Sequence, residues 1–135
     1  MPGKNSRFAA ILPAGGLGKR MGSKIPKQLL PLNGKPVYRY ALETFAQMDK
    51  ISEVVLAVPA DWKSHFEKEL EDFRFANKIK LVIGGKERWE SVRNGIEALS
   101  KEIDFALVHD VARPLISQSL ILQVMKTLET KGSCL

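Results

Sequence analysis

Three glycines, at 15, 16 and 18, lie among four cations, Lys19, Arg20, Lys24 and Lys27, in the stretch from Pro13 to Gln28. Glycine lets the backbone turn sharply and approach a ligand closely, so successive N–H groups can converge on one anion. Arg binds phosphate oxygens bidentately and Lys acts as a compact point charge. Together they point to a polyphosphate site. The stretch has no place for G-x-x-x-x-G-K-[ST], so it is not a Walker A loop. Nor is it the dinucleotide fingerprint, because Gly16-Leu17-Gly18 would need a third glycine at position 21, which is Met. A glycine turn serving only strand–helix packing is the bland alternative, and the cations weigh against it. Scattered lysines commonly mark a solvated face, but Lys27 is held between Pro26 and Gln28 where the loop must fold back. Phosphoryl-type transfer needs charge stabilisation more than covalent chemistry, so Arg20 and Lys27 are the candidate catalytic residues.

Asp110 is the candidate metal ligand. One carboxylate at a strand end can hold Mg2+ when phosphates and water supply the other oxygens. Its bland reading is a loop cap or an ion pair with Arg113. His109 reads as structural, since no Ser or Cys nucleophile pattern accompanies it. Gly84-Gly85 reads as a turn entering a helix, with the Ser91 hydroxyl one turn inside available to a base edge. Trp89 fits an apolar stripe and reads as core.

The elements that must position these residues alternate strictly. A buried strand, Phe8 to Leu12, precedes the glycine loop, and Asn33-Gly34 marks a turn. A helix follows, with Val37, Ala41, Thr44, Phe45 and Met48 on its buried face. Glu53 to Pro59 reads as a strand buried on both faces. Asp61 is placed to cap a helix with Trp62, Phe66, Leu70 and Phe73 inward. Lys80 to Ile83 is the third strand, and Trp89, Val92, Ile96 and Leu99 form the next helical stripe. Asp104 to Val108 is the fourth strand; Ser117 opens a last helix with Leu120, Ile121, Val124 and Leu128 inward. Such alternation means a mostly parallel sheet with helices on both sides, which binds ligands at the carboxyl ends of its strands. The glycine loop, Gly84-Gly85 and His109-Asp110 all fall at those ends. Lys131 to Leu135 reads as a loop entering a further strand, so a truncated sheet with an open edge is expected.

The 135 residues, 44% hydrophobic and 27% charged, suit one globular domain spanning 1–135. No apolar run is long enough for a membrane span, and the single Cys134 excludes an internal disulfide and suits a reducing cytoplasm. The net charge is +6, with no Asp or Glu before Glu43. A basic half attracts a phosphorylated partner. Residues 9 to 37 contain no aromatic side chain to stack on bases, which favours a small nucleotide over nucleic acid.

The motifs around 13–21, 26–28, 84–95 and 108–114, taken in order, resemble the 2-C-methyl-D-erythritol 4-phosphate cytidylyltransferase family. The resemblance implies a Rossmann-like three-layer α/β/α nucleotidyltransferase fold, with CTP, Mg2+ or another divalent cation, and a polyol phosphate as partners. Pro13, Ala14, Gly15, Gly16, Gly18, Gly85, Ser91 and Asp110 would bind the nucleotide, with Ala14, Gly85 and Ser91 reading cytosine. Asp110 would also hold the metal, and Arg20 and Lys27 would stabilise the transition state. A homodimer is implied for the full-length protein, as are further site residues beyond Leu135. Lys86 stands where the family commonly has an acid, Gly15 where it has Ala, and Val111 where Ala is frequent. The ribitol-5-phosphate enzyme, sharing a segment like Leu30 to Pro36, is the alternative within this class. A non-catalytic nucleotide- or RNA-binding module is the alternative outside it.

Overall fold

The computed structural model describes residues 6–14, 26–111, 113 and 115–132. Its sheet contains β1 (Phe8–Pro13), β4 (Ile51–Val58), β5 (Ile79–Ile83) and β6 (Phe105–Val108), in the order β5-β4-β1-β6 and parallel throughout. Runs of β-branched and small apolar residues form the two central strands because both faces are covered there. Every residue of β1 is buried, as are Val54 to Val58 of β4. Between β1 and β4, Asn33 and Gly34 both take positive φ, 52° and 80°. That conformation suits a two-residue turn and closes the short antiparallel hairpin β2 (Pro31–Leu32) and β3 (Lys35–Pro36).

Strand side chains alternate between faces, so β1 divides the core. Phe8, Ala10, Leu12 and Ala14 join a cluster with α1 (Val37–Ala46), α2 (Lys63–Glu69) and α4 (Gln118–Lys131), through Leu42, Phe45, Phe66, Ile121 and Met125. The opposite face, with Ile11, is covered by α3 (Arg88–Glu97). These are the three expected layers. Tyr38 anchors α1 to α2: its ring meets Phe66 edge-on and its hydroxyl donates to Glu69 Oε1 at 2.7 Å. Burial and the Glu69 carboxylate push that phenol above its ordinary value of 10.0.

Several side-chain expectations are corrected. In α1 the buried positions are Tyr38, Ala41, Leu42, Phe45 and Ala46, while Val37 and Thr44 are half-buried. Asp61 lies inside a 3-10 turn, Ala60–Trp62, and caps no helix with its side chain. Trp89 is 61% exposed and Ile96 53%, so the predicted α3 stripe is not core. The face of α3 on the sheet is instead Ser91 and Gly95, because only small residues allow so close an approach: a Cβ at Gly95 would stand 2.7 Å from Ile11 Cγ2. Leu120 of α4 is also exposed, whereas Met125 is buried. Ser117 caps α4 as expected, its Oγ accepting from Leu120 N at 3.2 Å.

Candidate nucleotide site

The chain runs outward from β1 through β4 to β5, then crosses back to place β6 on the other side of β1. The switch point therefore lies between β1 and β6, where open α/β sheets form a crevice at their carboxyl ends. Backbone hydrogen bonds draw that end together. Ala14 N donates to Ala57 O at 2.7 Å, Gly84 N to Val58 O at 2.8 Å, and His109 N to Ile11 O at 3.0 Å.

The Gly84-Gly85 segment is latched onto α3. Gly85 N donates to Ser91 Oγ at 3.1 Å, and Asn94 Nδ2 donates to Ile83 O at 2.9 Å. A Cβ at Gly84 would lie 2.7 Å from Ser91 Oγ, and one at Gly85 would lie 2.3 Å from Glu90 Cβ. Close approach therefore requires both glycines. Ser91 is 2% exposed. Its oxygen accepts from Gly85 N–H, so this hydroxyl holds the glycine segment against the helix.

Asp110 follows β6 and is paired with Arg88, not Arg113: Arg88 Nε lies 2.9 Å from Asp110 Oδ1. Arg113 contributes backbone, its N–H donating to Asp110 O at 3.1 Å and its carbonyl lying 2.9 Å from His109 Nε2. His109 thus secures the turn and rests against the Phe45 ring, in keeping with a structural role. Arg88, Asp110, Arg113, Val108 and Leu115 line an open groove of about 720 Å3. Arg88 was given no role by residue type; it entered the sequence reading only as part of the 84–95 motif, and its pairing with Asp110 is what the structure adds.

Lys27 is exposed at the start of a 3-10 turn, Lys27–Leu29, between buried Pro26 and Gln28. The Gln28 side-chain oxygen is buried without a hydrogen-bond partner. Pro13 ends β1 in a buried position, and Ala14, just after the strand, is fully buried. Gly15, Gly16, Gly18 and Arg20 lie outside the described residues.

Comparison with known proteins decides the family. The family model for 2-C-methyl-D-erythritol 4-phosphate cytidylyltransferase matches residues 8–135. The chain belongs to that cytidylyltransferase family. The cytidylyltransferase of Clostridium beijerinckii is 46% identical over 114 residues, which cover 84% of this chain and 50% of that protein. The Lachnospira eligens cytidylyltransferase is 38% identical over 125 residues, covering 93% and 55%. Among solved structures, the 4-diphosphocytidyl-2C-methyl-D-erythritol synthase of Anaerococcus prevotii superposes with a TM-score of 0.79 at 26% identity, covering 93% of this chain and 52% of that one. The chain spans about half the length of the curated cytidylyltransferases it matches.

A divalent cation is the metal such a cytidylyltransferase site would take, and Asp110 fits one. It is a hard oxygen donor, 39% exposed at the side chain, with Oδ1 engaged by an exposed cation. Among the described residues no three His, Cys, Asp or Glu gather into a metal cluster, so phosphates and water would supply the remaining ligands. Also among the described residues, no helix is long and apolar enough to cross a membrane.

Proposed function

We propose that the protein of which this sequence forms the matched part transfers CMP from CTP to 2-C-methyl-D-erythritol 4-phosphate and releases pyrophosphate. The family match over residues 8–135 carries this reading. The convergence of Ala14, Gly85, Ser91 and Asp110 at the carboxyl end of the sheet supports it. The relatives above bear the erythritol name, which favours that acceptor over ribitol 5-phosphate.

In this reading the cytosine sits over Ala14 and Gly85, with the Ser91 proton turned to its edge. Gly15, Gly16 and Gly18 bring backbone N–H groups to the triphosphate. A phosphate oxygen of the sugar phosphate attacks the α-phosphorus; the bond to the bridging oxygen breaks, and its electron pair leaves with pyrophosphate. Arg20 and Lys27 hold the charge that gathers on the non-bridging oxygens, where fixed cations lower the barrier most. Asp110 would hold Mg2+, whose chemistry when bound is to neutralise phosphate charge. No covalent nucleophile is required of the chain. A homodimer and a cytoplasmic location accompany this proposal.

Titration with CTP, UTP, ATP and a short RNA tests nucleotide recognition. Tighter binding of CTP than of UTP and ATP is expected. Preference for RNA with a steep salt dependence would overturn the reading in favour of a nucleic-acid module. Product analysis with CTP, Mg2+ and each polyol phosphate tests the acceptor; a CDP-ribitol product without the erythritol product would replace it.

A further inference from the structure

We propose that Arg88 is a placeholder for the divalent cation at Asp110, and that an arriving cation must displace it. The proposal rests on Asp110 being the metal ligand. Arg88 opens α3 on the far side of the switch point, 22 residues from Asp110 in sequence, yet its Nε reaches Asp110 Oδ1 at 2.9 Å. Two features make this contact exchangeable. It engages Nε alone, without the paired Nη contact of a bidentate fork, so it lacks the geometry that makes Arg–carboxylate pairs persistent. Both side chains are also substantially exposed, 57% and 39%, and exposed ion pairs hold weakly.

The contact also has a purpose on each side. A positive side chain in the first turn of a helix opposes the helix dipole, and Asp110 compensates Arg88 there. In return Arg88 holds Oδ1 in one orientation at the mouth of the groove. A cation that takes Oδ1 competes with the guanidinium for it, so the two are linked thermodynamically: whatever Arg88 gains from Asp110 is subtracted from cation affinity there. The displaced guanidinium stays at the rim of the groove, where an anionic nucleotide offers it a new partner.

Mn2+ is titrated into the chain, alone and with CTP, and the free ion is followed by its EPR signal. Arg88→Gln is expected to bind Mn2+ roughly two- to fivefold more tightly than the parent, the range set by an exposed ion pair. Arg93→Gln is the charge control: Arg93 lies on the same helix over the Trp89 ring, 5.2 Å from its centroid, and its loss should leave Mn2+ affinity unchanged. In the Asp110→Asn background, Arg88→Gln should no longer tighten binding. Unchanged or weaker Mn2+ binding by Arg88→Gln overturns the placeholder role, as does equal tightening by Arg88→Gln and Arg93→Gln. Parent-like Mn2+ binding by Asp110→Asn instead removes Asp110 from the metal site, and the placeholder falls with it. Circular dichroism confirms that each variant is folded before its titration is read.

Discussion

Lys27 is presented to solvent by two neighbours that are themselves buried, Pro26 and Gln28, so its ammonium is carried on a fixed turn although the side chain is flexible. In the proposed reaction that placement matters more than its charge alone. Lys27→Ala, measured in steady-state kinetics of the full-length enzyme, is expected to lower kcat by at least ~10-fold with a smaller change in KM, as for loss of a group that acts mainly in the transition state. Equal kcat in variant and parent would remove Lys27 from the chemistry. At this scale the sequence was informative about residue kinds and poor about partners. Glycines beside cations, and an acid at a strand end, identify themselves by type. The pairing of Asp110 with Arg88 does not, because it joins the start of a helix to the end of the following strand. Nor does the Ser91–Gly85 latch, which shows that this hydroxyl already shapes the loop before any ligand arrives.

Helix α3 shows how an element can defeat its own hydrophobic pattern. Trp89, Val92, Ile96 and Leu99 recur at helical spacing, yet Trp89 and Ile96 are largely exposed, and the helix lies on the sheet through Ser91 and Gly95. Periodicity reports where apolar residues cluster; it cannot report that a glycine is the contact. Two substitutions separate these contributions. Gly95→Ala adds one methyl group that would meet Ile11 Cγ2 at 2.7 Å, and is expected to cost about 1–3 kcal/mol in urea unfolding. In an Ile11→Ala background, which lacks Cγ2, the same Gly95→Ala substitution should cost less. Trp89→Gln removes the largest side chain on the helix and is expected to change stability by no more than ~0.5 kcal/mol, as at other surface sites. The reverse order of effects would place Trp89 in the core after all. The strands were easier to read, since β1 and Val54 to Val58 of β4 are buried on both faces and form continuous apolar runs.

Across the whole molecule, the α/β alternation was legible because each unit carries its own pattern, and the ligand-facing end followed from the parallel topology. The side-chain ties between units were not. Glu53 on β4 accepts from Ser100 N at 3.3 Å and from the Ser100 hydroxyl, and pairs with Lys80 of β5 at 2.9 Å. It therefore joins two strands to the segment after α3. Burial alone would raise its carboxyl, but these donors outweigh burial and hold it below its ordinary value of 4.5. A carboxyl depressed by folding stabilises the fold fully above its unfolded pKa. That contribution disappears as pH falls below about 4.5 and through the folded value. Glu53→Gln is accordingly expected to be less stable than the parent at pH 7, with the difference shrinking on acidification below pH 4.5. Chemical denaturation at a series of pH values measures it, and a constant difference would mean that the carboxylate charge plays no part.

The sheet also sets an order of events during synthesis. Ile11 is paired with Val108, and Arg7 N donates to the Asp104 carboxylate 97 residues away. The first strand leaves the ribosome nearly a hundred residues before its second partner and must wait with one edge unsatisfied. Contacts this distant in sequence are slow to form, and an apolar strand left waiting is a target for aggregation. Chaperone demand during translation should therefore fall on β1, and the crevice between β1 and β6 can close only once residue 108 has emerged.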